Sequence, residues 1–158
     1  MWFLFSMFLA WIGVFSQTAT ADTLGPFGTV SVIEMPRAEP LQGGLLAATL
    51  SIQPNTIKNT LTFQATSRLN FVLRYSKTSD LDLTPQGRED RYDRSFDVSY
   101  LIFTQRDFRP AIALGFRDIG GTGIYSGEYI VAEKTLSKRV TTTVGIGWGR
   151  FAGRGQFT

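Results

Sequence analysis

From Gly44 onward the apolar side chains recur at every second residue, and no helical period competes with that pattern. Leu46, Ala48, Leu50 and Ile52 alternate with Ala47, Thr49, Ser51 and Gln53. The same alternation runs through Thr60 to Ala65, Leu69 to Ser76, Ser95 to Ile102, Ala111 to Arg117 and Val140 to Gly149. Tyr125 to Thr135 is a weaker case, because Glu133 shares the face of Tyr129 and Val131. Successive side chains of a strand point to opposite faces, so each segment predicts a strand with one apolar face and one small or polar face. The expected fold is therefore all-β, an antiparallel meander of about seven strands.

Two architectures bury such strands. A soluble β-sandwich turns the apolar faces inward to a shared core. A transmembrane barrel turns them outward to lipid and keeps a polar interior. The links favour the barrel. Thr66 to Arg68, Gln105 to Phe108 and Ser137 to Arg139 are short, whereas Thr78 to Arg94 and Ile119 to Ile124 are longer or glycine-rich. Short periplasmic turns and longer outer loops produce such an alternation, with the first strand rising from the periplasm. The strands approach the roughly 9–11 residues a tilted membrane strand needs. Tyr75, Tyr100 and Trp148 fall near strand ends, where aromatic girdles are expected. Glycines on one face of the last strand point the same way.

The start of the chain is of another kind. Trp2 to Phe15 is almost wholly apolar, too short for the roughly 20-residue helix that spans a bilayer. Ala19-Thr20-Ala21 follows it and matches an A-x-A cleavage site, although no Lys or Arg precedes the apolar run. Residues 1–21 are read as a signal peptide cleaved after Ala21, against the alternative of an uncleaved N-terminal anchor. Residues 22–43 are read as a periplasmic lead-in, 44–150 as barrel strands and 151–158 as a tail.

Composition removes most chemistry. The 158 residues contain no Cys and no His, so thiolate zinc sites, Cys nucleophiles, histidine bases and a lipid-bearing cysteine are not expected here. The net charge of +3 is weak and the basic residues are interleaved with Asp and Glu, which speaks against nucleic-acid binding. Gly120-Gly121-Thr122-Gly123 lacks the Lys of a phosphate loop and precedes a strand, so it reads as a turn needing positive φ. Asp97, Asp118, Glu128 and Glu133 invite a two-carboxylate glycosidase reading. Pairing with Arg74, Arg94 and Arg117 in a polar lumen explains them better. The charged run Asp80 to Arg94, with Pro85 and Gly87, is expected to be a solvated outer loop.

Five stretches taken in order carry a family resemblance: Gly28 to Glu39 (GTVSVIEMPRAE), Asp93 to Asp97 (DRSFD), Phe116 to Gly123 (FRDIGGTG), Ser126 to Val131 (SGEYIV) and Val144 to Arg150 (VGIGWGR). Together they resemble the YjbH-like family of outer-membrane β-barrel proteins, over nearly all of the mature chain. The resemblance implies a barrel and an association with exopolysaccharide production or export. Family members are several-fold longer, and seven strands fall short of the even number, 8 or more, of bacterial barrels. The chain is accordingly expected to be the opening portion of a larger barrel, from a truncated or frameshifted gene.

The sequence thus predicts an outer-membrane, non-enzymatic protein assisting exopolysaccharide export, a partial transmembrane β-barrel preceded by a signal peptide. A soluble periplasmic β-sandwich binding module is the alternative. Asn70, Arg74, Asp97, Arg117 and Glu128 are the candidate lumen-facing polar residues, bonding sugar hydroxyls or each other. No catalytic, cofactor or metal residues are assigned. The expected partners are outer-membrane lipid, polysaccharide and other exopolysaccharide-export proteins.

Overall fold

The computed structural model describes residues 24–84 and 87–152, with side chains outside 80–89. The proposed signal peptide and the residues after Ala152 lie outside them. Two short strands, β1 (Ser31–Val32) and β2 (Met35–Pro36), form a small hairpin. Seven further strands follow: β3 (Leu46–Gln53), β4 (Thr56–Gln64), β5 (Leu69–Thr84), β6 (Gly87–Phe103), β7 (Ala111–Ile119), β8 (Gly127–Ser137) and β9 (Val140–Gly147). Each pairs antiparallel with the next, in the order β3-β4-β5-β6-β7-β8-β9. The sheet is curled into a half-barrel, with β3 and β9 at its two edges. Each of the seven strands contains most of one alternating segment of the sequence, and β4, β5 and β6 extend beyond theirs.

The two faces of the sheet differ in polarity. Leu50, Ile52, Leu61, Phe63, Phe71, Leu73, Phe96, Phe116, Ile130, Val144 and Ile146 lie exposed on the convex face. The concave face buries Lys58, Thr60, Thr62, Gln64, Asn70, Arg74, Ser76, Asp93, Ser95, Asp97 and Arg117. Cross-strand partners share a face, and the register keeps the two sets apart: Leu61 opposes Leu73, Phe71 opposes Val98, and Thr60 opposes Arg74.

The concave face is filled from both ends of the described chain. The segment that the sequence set aside as a lead-in packs there, with Phe27 and Ala38 only 1% and 2% exposed. Ala38 joins Leu101, Ala113, Tyr129 and Val131 in a small apolar core. At the other end, a single 3-10 turn (Gly149–Ala152) folds Phe151 against Tyr129, with ring centroids 5.4 Å apart. Gly127 and Gly147 permit this, since a Cβ on either would lie 2.9 or 2.6 Å from Phe151 carbon atoms.

Two expectations about links need correction. Residues 78–84 and 87–94 are not loop but the far part of β5 and β6, which pair Thr78 with Arg91 and continue to Thr84 and Gly87. Charged side chains do not stop a ladder whose backbone bonds are satisfied across the hairpin, and cross-strand pairs such as Lys77–Asp90 (2.7 Å) accommodate them. The short-and-long alternation also fails at the first hairpin. Pro54 and Asn55 alone join β3 to β4, at the end where the long hairpin projects. Asn55 adopts φ 61°, as a tight two-residue hairpin turn demands.

Candidate functional site

The polar centre of the concave face is built by strand parity. On β5, Asn70, Val72, Arg74 and Ser76 face inward; on β6, Asp93, Ser95 and Asp97 do so. Arg74 and Asp97 meet in a two-pronged ion pair, Nη1 to Oδ2 at 2.8 Å and Nη2 to Oδ1 at 3.0 Å, both side chains almost wholly buried. Arg117 Nε lies 3.8 Å from the same carboxylate. Such an arrangement is favourable in a dry site only because both charges are compensated and geometrically matched.

Above this pair sits Phe27. Its ring centroid lies 4.3 Å from Arg117 Cζ, 4.6 Å from Lys58 Nζ and 5.1 Å from Arg74 Cζ. The Tyr125 ring meets it edge-on at 5.3 Å. The negative π face of an aromatic ring thus packs against three cations at distances where that attraction operates.

The glycine-rich loop between β7 and β8 is tied to the same cluster by carboxylates. Asp97 Oδ1 accepts from the Asp118 amide (2.9 Å), Asp93 Oδ1 from the Thr122 amide (2.8 Å), and Asp118 Oδ2 from the Tyr125 amide (2.9 Å). Gly120 and Gly123 have φ of 70° and 80°, the turn role expected of them, and Asp118 itself has φ 60°.

The second anchor of the N-terminal segment is Arg37, which donates two hydrogen bonds to Glu133 at 3.0 and 2.9 Å. Those bonds raise the pKa of the Arg37 guanidinium. Glu133 also accepts from the Thr143 hydroxyl at 3.1 Å. Its place on the inner face of β8, which weakened the strand signal, is thereby explained. Beside it a cleft of about 350 Å³ opens between the N-terminal segment and β6 to β9, lined by Arg37, Glu39, Thr104, Gln105, Glu133 and Thr135.

Of the five candidate lumen residues, Asn70, Arg74, Asp97 and Arg117 lie on the concave face, and the last three share one cluster. Asn70 stands apart, donating to Gln64 Oε1 at 3.0 Å. Glu128 is corrected: it opposes Phe116 on the exposed convex face. Tyr129 and Val131 take the inward positions of β8 because Ala38 and Phe151 give them an apolar surface to cover. Sequence reasoning did not single out Phe27, Lys58 or Arg37. Lys58 carried a legible signal, being in phase with Thr60, Thr62 and Gln64 and out of phase with Ile57, Leu61 and Phe63.

The five sequence stretches that carried the resemblance converge on this site. Phe116 to Gly123 forms the clamped loop, Asp93 to Asp97 its clamps, and Gly28 to Glu39 most of the inserted segment. Ser126 to Val131 and Val144 to Arg150 meet through backbone bonds, Arg150 N to Ser126 O at 2.9 Å and Trp148 N to Glu128 O at 2.9 Å. The class defined is an all-β half-barrel with an apolar outer face and a charged inner face occupied by its own N-terminal segment. The family model described as "Exopolysaccharide biosynthesis protein YbjH" (YjbH) matches residues 23–158, and the chain belongs to that family. It is similar to the protein named "Uncharacterized lipoprotein YjbH" of Escherichia coli (strain K12), at 28% identity over 127 residues. That alignment covers 78% of this chain and 18% of the relative, so the chain spans under a fifth of the relative's length. No solved structure matches it.

Proposed function

We propose that the chain is part of an outer-membrane β-barrel that assists exopolysaccharide production or export without catalysing a reaction. The observation that carries this reading is the inverted sheet. Apolar side chains cover the exposed convex face, while Arg74, Asp97 and Arg117 are buried on the concave one. A lipid-facing barrel wall has that polarity. A soluble sandwich would need a second layer over Leu61, Phe71, Leu73, Phe96 and Ile130. The edges β3 and β9 would be closed by further strands, since unpaired backbone groups in hydrocarbon cost several kcal/mol each. Export through the inner membrane would use residues 1–21 as a cleaved signal.

The non-enzymatic part rests on how the carboxylates are used. Asp97 is bound by Arg74 and the Asp118 amide, and Glu133 by Arg37 and Thr143. Glu128 faces away. Polysaccharide contact falls to the open cleft beside Arg37 and Glu133, and the buried Arg74 cluster holds the inserted segment. The family's printed description supplies the exopolysaccharide connection.

Fractionation of cells making the full chain tests this. The protein should sediment with outer membranes, resist salt and alkaline carbonate, and dissolve in detergent, and its loss should lower secreted polysaccharide. Recovery in the soluble periplasm would refute the membrane reading.

A further inference from the structure

Four buried oxygen atoms at one end of the concave face have no hydrogen-bond partner: Ser76 Oγ, Asp93 Oδ2, Ser95 Oγ and Asp118 Oδ1. They belong to neighbouring positions. Asp93 opposes Ser76 across the β5–β6 pairing, and Ser95 is the next inward residue of β6. Asp118 reaches the patch from the end of β7. A Cβ built on Gly121 would collide with Asp118 Oδ1 and come within 2.9 Å of Ser95 Cβ and 3.1 Å of the Arg94 carbonyl oxygen. Those three groups therefore crowd Gly121, and only a glycine lets the loop come this close to them.

Each carboxylate is also oriented. Asp93 receives the Thr122 amide on Oδ1, and Asp118 receives the Tyr125 amide on Oδ2. The other oxygen of each is left without a donor. Among the described residues neither carboxylate makes an ion pair, and the cation nearest in role, Arg74, is taken by Asp97. The two carboxylates are 4% and 5% exposed, and each thus keeps one buried oxygen without a donor. Buried charges are ordinarily paired or coordinate a metal. Asp93 also borders a cleft of about 390 Å³, lined by Tyr75, Tyr92, Arg94, Gly121 and Thr122.

We infer that Asp93 and Asp118, with the Ser76 and Ser95 hydroxyls, form a binding site for a hard divalent cation, calcium by preference. Hard cations take oxygen ligands, and calcium accepts the mixed set of carboxylate, hydroxyl, carbonyl and water that this patch offers. No three carboxylates converge among the described residues, so hydroxyls and water complete the shell. The cation would fasten the Phe116 to Gly123 loop to the β5–β6 hairpin. This inference does not depend on the membrane reading.

Terbium luminescence on the purified full chain, folded in detergent, tests it. Tb3+ is an oxygen-seeking substitute for calcium, and Tyr125, whose amide is bound by Asp118, is the tyrosine placed to sensitise it. Saturable emission displaced by Ca2+ is expected. Asp93→Asn should weaken Ca2+ displacement about tenfold or more. Asp118→Asn could disturb the loop, so Ser95→Ala, which removes an oxygen without altering any hydrogen bond, serves as the second variant and should weaken binding several-fold. Absence of Ca2+-displaceable emission from the folded chain would overturn the site. So would emission that Asp93→Asn and Ser95→Ala both leave unchanged.

Discussion

Arg74 and Asp97, 23 residues apart in sequence, lock together through two parallel hydrogen bonds on the buried face of neighbouring strands. The relation is diagonal across the β5–β6 register, since Arg74 directly opposes Ser95. Replacing one partner strands the other charge in a dry site. Arg74→Leu or Asp97→Leu alone should lower stability by about 3–5 kcal/mol. The double variant should lose far less than the sum, with a coupling above about 1 kcal/mol. Urea unfolding followed by tryptophan fluorescence reads both. Additive losses would mean that the pair is not the unit holding this face.

Phe27 is the anchor of the inserted N-terminal segment. Phe27→Ala removes a ring that is 1% exposed and should cost about 3–5 kcal/mol. Phe27→Leu restores apolar volume but not the π face seen by Lys58, Arg74 and Arg117, and should still cost about 1–2 kcal/mol. Limited proteolysis within residues 24–45 measures release of the segment. Equal resistance in Phe27→Leu and the native chain would show that the cations contribute nothing through the ring.

Arg37 and Glu133 form the second fastening of that segment. Glu133→Gln keeps the shape and removes the charge, and should loosen the segment by roughly 1–3 kcal/mol. The same proteolysis should quicken while the sheet's unfolding transition moves less. An unchanged cleavage rate would make the pair incidental.

Gly115 and Tyr129 are cross-strand partners, and the tyrosine ring lies over the glycine. A Cβ on Gly115 would come within 2.6 Å of Tyr129 Cε1. Gly115→Val should therefore destabilise the fold by about 1–3 kcal/mol through overpacking. Gly115→Val combined with Tyr129→Leu should recover part of that loss. Thermal melting of the two variants decides it, and no recovery would place the strain elsewhere.

The strands were readable because period two needs only local parity, and all seven alternating segments became strands. Parity failed on β8 for a physical reason. Tyr129 and Val131 on one side and Ile130 and Ala132 on the other are both apolar, so the pattern could not say which faced in. The deciding partners, Ala38 and Phe151, lie at opposite ends of the sequence. That placed Glu128 on the wrong face. The inserted segment was invisible for a similar reason. Residues 24–43 carry no period, and Phe27 is a core residue only because Lys58, Arg74, Arg117 and Tyr125 arrive from four other segments. The cluster of Arg74, Asp97 and Arg117 was legible one residue at a time, as inward polar positions, but its pairing required the register.

The central claim is that the convex face meets lipid and the concave face does not. The absence of cysteine makes single-cysteine variants clean reporters. Spin labels at Leu61, Leu73 and Phe96 on the convex face should be accessible to oxygen dissolved in lipid and shielded from a water-soluble nickel complex, in native outer membranes. A label at Thr62 or Ser95, on the concave face, should be shielded from lipid-dissolved oxygen. Convex positions open to the nickel complex, or closed to both reagents beneath a protein layer, would contradict the barrel account.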